Sequence, residues 1–269
     1  MKLQRMLDNS VWLRFTFLML VLMVIAGVFY FVDPISQDLT YHNFADKRSW
    51  LSVPNFGDVM SNVPFLIVGI AGPLVLFLRK TVRIERKLFP AYIIFFVGIF
   101  LTGIGSGYYH LNPNNETLVW DRLPMTIGFM AFFAIIVAEY VHVKVGQYSL
   151  WPLLLLGVIS VGYWHMTEMD GRGDLRPYAL VQFLPMLLIP IILLLFTPSF
   201  NRTAHIWWVI VAYGASKMFE VIDAQVFLLS GMVSGHTIKH IIAAMAPLIF
   251  LHGICCRNST INVRNKDDE

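Results

Sequence analysis

Charge is the scarcest commodity in this sequence. Asp, Glu, Lys and Arg make up 14% of its 269 residues, where a soluble domain carries about 25%. Cysteine is nearly absent too. The only two, Cys255 and Cys256, are adjacent, which excludes a disulfide framework and says little about redox compartment. No basic stripe interleaved with stacking aromatics is present, which argues against nucleic acid as a partner. No internal repeat stands out, and the only charged tail lies at 264–269.

What the sequence has instead is hydrophobicity in long blocks. It is 57% hydrophobic with a mean hydropathy of +0.65. The blocks predict membrane-spanning helices at 11–31, 57–78, 88–109, 121–141, 150–165, 178–196, 205–229 and 235–255, most near the ~20 residues that cross a bilayer. The first block follows Lys2 and Arg5, as a signal peptide would, but it is long and ends in Phe29-Tyr30-Phe31-Val32-Asp33 rather than at small residues. It therefore reads as a retained helix. The expected fold is an all-α integral membrane protein: a seven-helix transmembrane bundle with one extra N-terminal transmembrane helix, eight spans in all. The divisions are 1–32 for the cytoplasmic start and extra helix, 33–256 for the core, and 257–269 for a cytoplasmic tail.

Eight spans put both termini on one side. Segments on that side, with Arg14 at the span edge, hold thirteen Lys and Arg residues, against five on the other. The bias predicts cytoplasmic termini. A bacterial inner membrane and a eukaryotic endomembrane both fit it.

On that frame the unusual polar residues converge. Ser106 and His110 close the third span in "SGYYH", Asp121 opens the fourth in "WDRLP", and His236 and His240 open the eighth in "GHTIKH", with Ser234 as a plausible cap. Asp58, Ser61 and Asn62 open the second. Alternating spans bring all of them to the extracytoplasmic face. His236 and His240, spaced i and i+4, share a helix face. His110 adds a third nitrogen, and three protein ligands with one open position is the pattern of a catalytic zinc. Such an ion lowers the pKa of its water toward ~7. Asp121 is then placed to move a proton and Ser106 to donate to a developing oxyanion. Taken singly, each residue has a plainer reading: an interfacial histidine, an Asp121–Arg122 pair or helix cap, a small packing serine between Gly105 and Gly107. Their convergence favours the metal site. Lys217, Glu220 and Asp223 form an i, i+3, i+6 ladder in the seventh span, read either as a mutually neutralised network or as support for the histidines, Asp223 foremost. Ser61, Asn62 and Lys239 are the other supporting candidates.

Ser-x-x-x-His, an Asp at the start of the next span, and His-x-x-x-His in the last span resembles the alkaline ceramidase family, part of a superfamily of seven-span membrane hydrolases that includes adiponectin-type receptors. "NFGDVMSNVPF" at 55–65 is similar to that family's opening of its first core helix. The resemblance spans about residues 40–255. It implies Zn2+ on His110, His236 and His240, proton handling by Asp121, oxyanion support by Ser106, and hydrolysis of ceramide to a sphingoid base and a fatty acid. The implied partner is a membrane lipid; no obligate protein partner is expected. The family's eukaryotic members also bind Ca2+ through an acidic cluster. Here Asn55 replaces their Glu and Asp58 their Asn, leaving Asp46, Asn55 and Asp58 as the available oxygen ligands. Lys239 stands where the family usually has an aromatic residue. The competing functions are a zinc-dependent ester or phospholipid acyl hydrolase, a seven-span receptor-like protein with a structural metal, and a transporter relaying ions through Lys217, Glu220 and Asp223. No paired broken helices or inverted repeat support the last. A rhomboid-type serine protease fails because Ile104 stands where its Gly-x-Ser-Gly needs glycine.

Overall fold

The computed structural model describes residues 2–79 and 82–258, with backbone only for 2–11 and Ala26. The described residues form ten α-helices and no β-strand: α1 (Lys2–Phe31), α2 (Phe56–Met60), α3 (Val63–Leu78), α4 (Phe89–Leu111), α5 (Asn115–Ile136), α6 (Val143–Met169), α7 (Arg176–Leu195), α8 (Ala204–Val221), α9 (Asp223–Ser230) and α10 (Gly235–Cys256). Seven segments are long and apolar enough to cross a membrane: Trp12–Phe31, Phe56–Leu78, Arg86–Leu111, Asn115–Val141, Val143–Met169, Arg176–Leu195 and Gly235–Cys256. The region expected at 205–229 is not among them. It is divided at Ile222 into α8 and α9 and carries Lys217, Glu220 and Asp223.

Several boundaries move from their expected places for local reasons. The fifth apolar block, expected at 150–165, lies within the 27-residue helix Val143–Met169; polar residues extend both ends beyond the hydrophobic run. The block expected from Asp121 begins earlier, at Asn115. Asn114 caps it, accepting from Glu116 N at 2.9 Å and Thr117 N at 3.0 Å, while Thr117 Oγ1 accepts from Asn114 N. This reciprocal box fixes the helix start and puts Asp121 inside the helix rather than at its cap. Proline in the first turn, where a missing N–H costs nothing, opens α3, α4 and α7. Ser234 caps α10, its Oγ accepting from Thr237 N at 3.0 Å.

Helices α3 to α8 and α10 pack around an apolar core that includes Phe95, Phe96, Phe132, Ile135, Ile189, Ile206 and Phe250. Leu18, Val21 and Leu22 of α1 lie against its rim, and Phe15 meets Phe196 edge-on at 5.6 Å. Most of the large apolar side chains on α1, among them Trp12, Leu13, Met19 and Met23, face outward.

Two glycines bring site-bearing backbones together. A Cβ at Gly105 would stand 1.9 Å from the Trp120 carbonyl oxygen, so only glycine lets α4 and α5 cross this closely, next to Ser106 and Asp121. A Cβ at Gly235 would lie 2.5 Å from the Phe219 carbonyl oxygen and 2.7 Å from Asp223 Cα. The start of α10 is thereby held against the α8–α9 break.

Candidate metal centre and adjoining cavity

His110 leaves the last turn of α4, and His236 and His240 the first two turns of α10. All three are buried, at 1%, 3% and 3% exposure, and each offers a ring nitrogen within 4.8 Å of the others. His110 Nε2 and His236 Nε2 are 3.3 Å apart. That is long for a hydrogen bond and short enough for both nitrogens to face one ion. These histidines form a buried cluster able to bind a metal ion.

The surroundings select the ring nitrogen that faces the cluster. Ser61 Oγ donates its single proton to the Asp58 carbonyl at 2.9 Å, and it lies 2.8 Å from His240 Nδ1. With that proton used, Ser61 accepts from Nδ1–H, which leaves the Nε2 lone pair free. Ser61 stands in the short break between α2 and α3, where the chain is not continuously helical. The neighbouring Asn62 turns back on its own segment, donating from Nδ2 to the Asp58 carbonyl at 2.8 Å. Phe44 lies over two of the rings, its centroid 4.6 Å from His110 and 4.4 Å from His236.

Asp223 supports the histidines through backbone. Its Oδ1 accepts from His236 N at 2.7 Å and its Oδ2 from Ala45 N at 2.9 Å. One carboxylate thus ties the start of α10 to the loop carrying Phe44, at a helix N-terminus that favours negative charge. The i, i+3, i+6 ladder separates here: Asp223 turns to the backbone, and Glu220 turns to the lysines. Glu220 Oε2 accepts from Lys217 Nζ at 2.5 Å, and Oε1 accepts from Lys239 Nζ at 3.0 Å and Tyr41 Oη at 3.2 Å. Lys239 Nζ is also 3.5 Å from His236 Nε2.

Ser106 and Asp121 are both buried, at 3% and 8% exposure, and their side chains are close neighbours. They line the polar end of a cavity with His240, Lys239 and Lys217. Its cavity volume is about 120 Å³, and its remaining wall is mostly apolar, with Phe65, Phe95, Ile99, Phe129, Phe132 and Met186. The lining therefore combines a few polar side chains with a predominantly apolar wall.

The residues expected to hold calcium have separate partners. Asp46 carries the Arg48 guanidinium on both oxygens, at 2.8 and 2.7 Å, and Arg48 goes on to the Met232 carbonyl at 2.5 Å. Arg48 holds the Asp46 carboxyl below the usual carboxylate range. Asn55 Nδ2 donates to the His110 carbonyl at 2.8 Å. Asp58 Oδ1 accepts from Thr237 Oγ1 at 2.8 Å and Ser234 Oγ at 3.2 Å, and its Oδ2 is buried without a hydrogen-bond partner among the described residues. Arg122, adjacent to Asp121, turns away from it. It donates to Gln37 Oε1 at 2.5 Å and stacks over Trp164 and Tyr178. His42 bridges Tyr109 Oη and Asn115 Oδ1, both at 2.8 Å, outside the cluster.

Spacing alone did not point to Phe44, Tyr41 or Thr237 as neighbours of the site. Tyr41 lies in the short 3-10 turn Leu39–His42 and Phe44 in the loop just after it, where no period relates a residue to the helices it covers. Comparisons with protein-family models, with curated proteins and with solved structures give no match.

Proposed function

We propose that this protein is an integral membrane hydrolase that binds zinc on His110, His236 and His240 and cleaves the amide bond of an N-acyl lipid such as ceramide. The observation that carries the reading is the meeting of three buried histidines with an apolar cavity whose polar end holds Ser106 and Asp121. The similarity of the Ser106–His110, Asp121 and His236–His240 pattern to alkaline ceramidases supports the amide as the bond cleaved. In this reading α8 and α9 together complete an eighth span and α1 is an addition to a seven-helix core. The termini are cytoplasmic and the site faces the other side.

When bound, zinc supplies Lewis acidity and an activated water at neutral pH. The chain does the rest. The acyl tail lies along Phe65, Phe95, Phe129 and Phe132, entering sideways from the bilayer, and this places the carbonyl at the polar end. Asp121 takes a proton from the attacking water and returns it to the leaving nitrogen as the C–O bond forms and the C–N bond breaks. Ser106, in the same cavity lining, donates its hydroxyl to the carbonyl oxygen, where charge develops.

The test pairs elemental mass spectrometry of detergent-purified protein with fatty-acid release from ceramide, in wild type, His236→Ala and His240→Ala. About one zinc per chain, lost together with amide hydrolysis in both variants, is the expected result. Zinc without release of fatty acid from either ceramide or an N-acyl amino acid would move the assignment to ester lipids or to a receptor-like protein with a structural metal. No bound metal in a chelator-free preparation would overturn it.

A further inference from the structure

The charged side chains inside the cavity are more numerous than proton transfer requires. Asp121 suffices to move the proton, yet Lys217 and Lys239 both line the same polar end. The two ammoniums share one carboxylate: Glu220 meets Lys217 with one oxygen at 2.5 Å and Lys239 with the other at 3.0 Å. Tyr41 Oη takes a further position on Glu220 Oε1, so its capacity as an acceptor is well used. An ammonium has three donors. Among the described residues, Lys239 has Glu220 as its one carboxylate partner, and its contact with His236 Nε2 is a long 3.5 Å. A metal ion on the histidines would claim that nitrogen lone pair and leave Lys239 with donors to spare. Buried donors without acceptors are costly.

Within the cavity lining itself Lys217 and Lys239 stand with Asp121 as the one carboxylate, and Glu220 joins the two ammoniums from outside the lining. Asp223 and Asp58, also near the histidines, are bonded to backbone and hydroxyl donors. A ligand seated there with a negative group beside its carbonyl gives Lys239 a charged acceptor. A neutral diol head group gives it only a neutral one.

We propose that Lys239, supported by Lys217 through Glu220, is the specificity-determining cation of this cavity, and that it selects N-acyl lipids with a carboxylate next to the amide, as in N-acyl amino acids, over neutral amides of the ceramide type. The inference rests on the hydrolase reading for the bond that is cleaved, but not for the ligand that is bound. In an N-acyl amino acid the carboxylate lies one carbon from the amide nitrogen. A carbonyl held at Ser106 and Asp121 thus carries it to the side where Lys239 stands.

The experiment uses two probes with the same chain and the same amide, N-palmitoylglycine and N-palmitoylethanolamine, which differ by a carboxylate against a hydroxymethyl group. Binding is measured by displacement of a fluorescent fatty acid from the full-length protein in detergent, metal-loaded and chelator-treated, and hydrolysis is measured separately. Wild type should bind N-palmitoylglycine about tenfold or more tightly, the worth of one charge-assisted hydrogen bond. Lys239→Gln should bring the ratio toward one, and Lys239→Arg should retain most of it. Because the readout is a ratio, a general loss of folded protein cancels. Equal binding of the two probes by wild type overturns the inference, as does a Lys239→Gln ratio equal to that of wild type. Selective binding without hydrolysis of either probe would sink the hydrolase reading and leave this one standing. Equal hydrolysis with equal binding would do the reverse.

Discussion

Two buried charge clusters lie at opposite ends of the bundle, and they are built on different plans. Tyr92 and His110 belong to the same helix, eighteen residues and thus about 27 Å apart. At the Tyr92 end, Glu139 in the π-type turn Val137–Val141 accepts from Arg257 on both oxygens, at 2.7 and 2.5 Å, and from Tyr92 Oη. Arg257 also donates to the Arg83 carbonyl at 2.8 Å and stacks over the Phe200 ring at 4.0 Å. Arg257 and Glu139 are 2% exposed, their charges directly paired. The ion pair itself is complete, and it clamps the residue after α10 to α4 and to the turn after α5, although the neighbouring Tyr140 Oη and His205 Nε2 are buried without partners among the described residues. At the His110 end, by contrast, His110 Nδ1 and Asp58 Oδ2 are buried without partners among the described residues, one carboxylate serves two lysines, and a cavity opens onto the cluster. A network that satisfies itself stabilises a fold. One left incomplete, beside space for a ligand, is arranged to be completed from outside.

That contrast can be broken experimentally. The largest effect should come from His236→Ala: loss of the bound metal by elemental analysis and of essentially all turnover, with the helical circular dichroism retained. Asp121→Asn should follow, with metal retained and turnover reduced by about 10²–10⁴. Loss of metal in that variant would make Asp121 a ligand and refute its assigned role. At the Tyr92 end, Arg257→Met strands the Glu139 charge and should cost about 3–5 kcal/mol of stability, read as a lowered melting temperature. The folded fraction should keep its metal and its activity, and a proportionate loss of metal would mean that the two clusters are coupled. Ser61→Ala removes the acceptor that orients His240 and should weaken metal affinity about 10–100-fold. The smallest effect is expected at Asp46, whose carboxyl Arg48 holds below its usual range. A depressed carboxylate adds stability above its unfolded value of ~3.9, and that stability is lost as pH falls through the folded value. Asp46→Asn should therefore lower the melting temperature slightly at pH 7, and the difference from wild type should vanish in acid.

The helical architecture was legible because length and hydropathy alone define a membrane-crossing helix. The histidine cluster was legible because alternating spans fix which helix ends share a depth, and i, i+4 spacing fixes which side chains share a face. Three features were hidden for physical reasons. Asp121 looked like a helix-start residue because the apolar block begins there, whereas Asn114 and Thr117 cap the helix earlier with polar residues that hydropathy ignores. The break at Ile222 has no proline or glycine to announce it, and it parts Glu220 from Asp223. Phe44 and Tyr41 reach the site from the connection between α1 and α2, one from a loop and one from a single 3-10 turn, where distance along the chain carries no information about distance in space. Lys239 was visible as an oddity, but its pairing with Glu220 depends on how α8 and α10 pack.

Phe44 has a further consequence, and it concerns time rather than affinity. Its ring is itself buried, at 6% exposure, and lies against two of the three histidines. The third, His240, lines the cavity together with Lys239 and Asp121. An ion held by the cluster would then exchange either by displacing the phenyl ring or through that cavity. A resident lipid would act as a stopper. Which metal the protein carries would then be decided less by competition at equilibrium than by the ion present when α4 and α10 first came together.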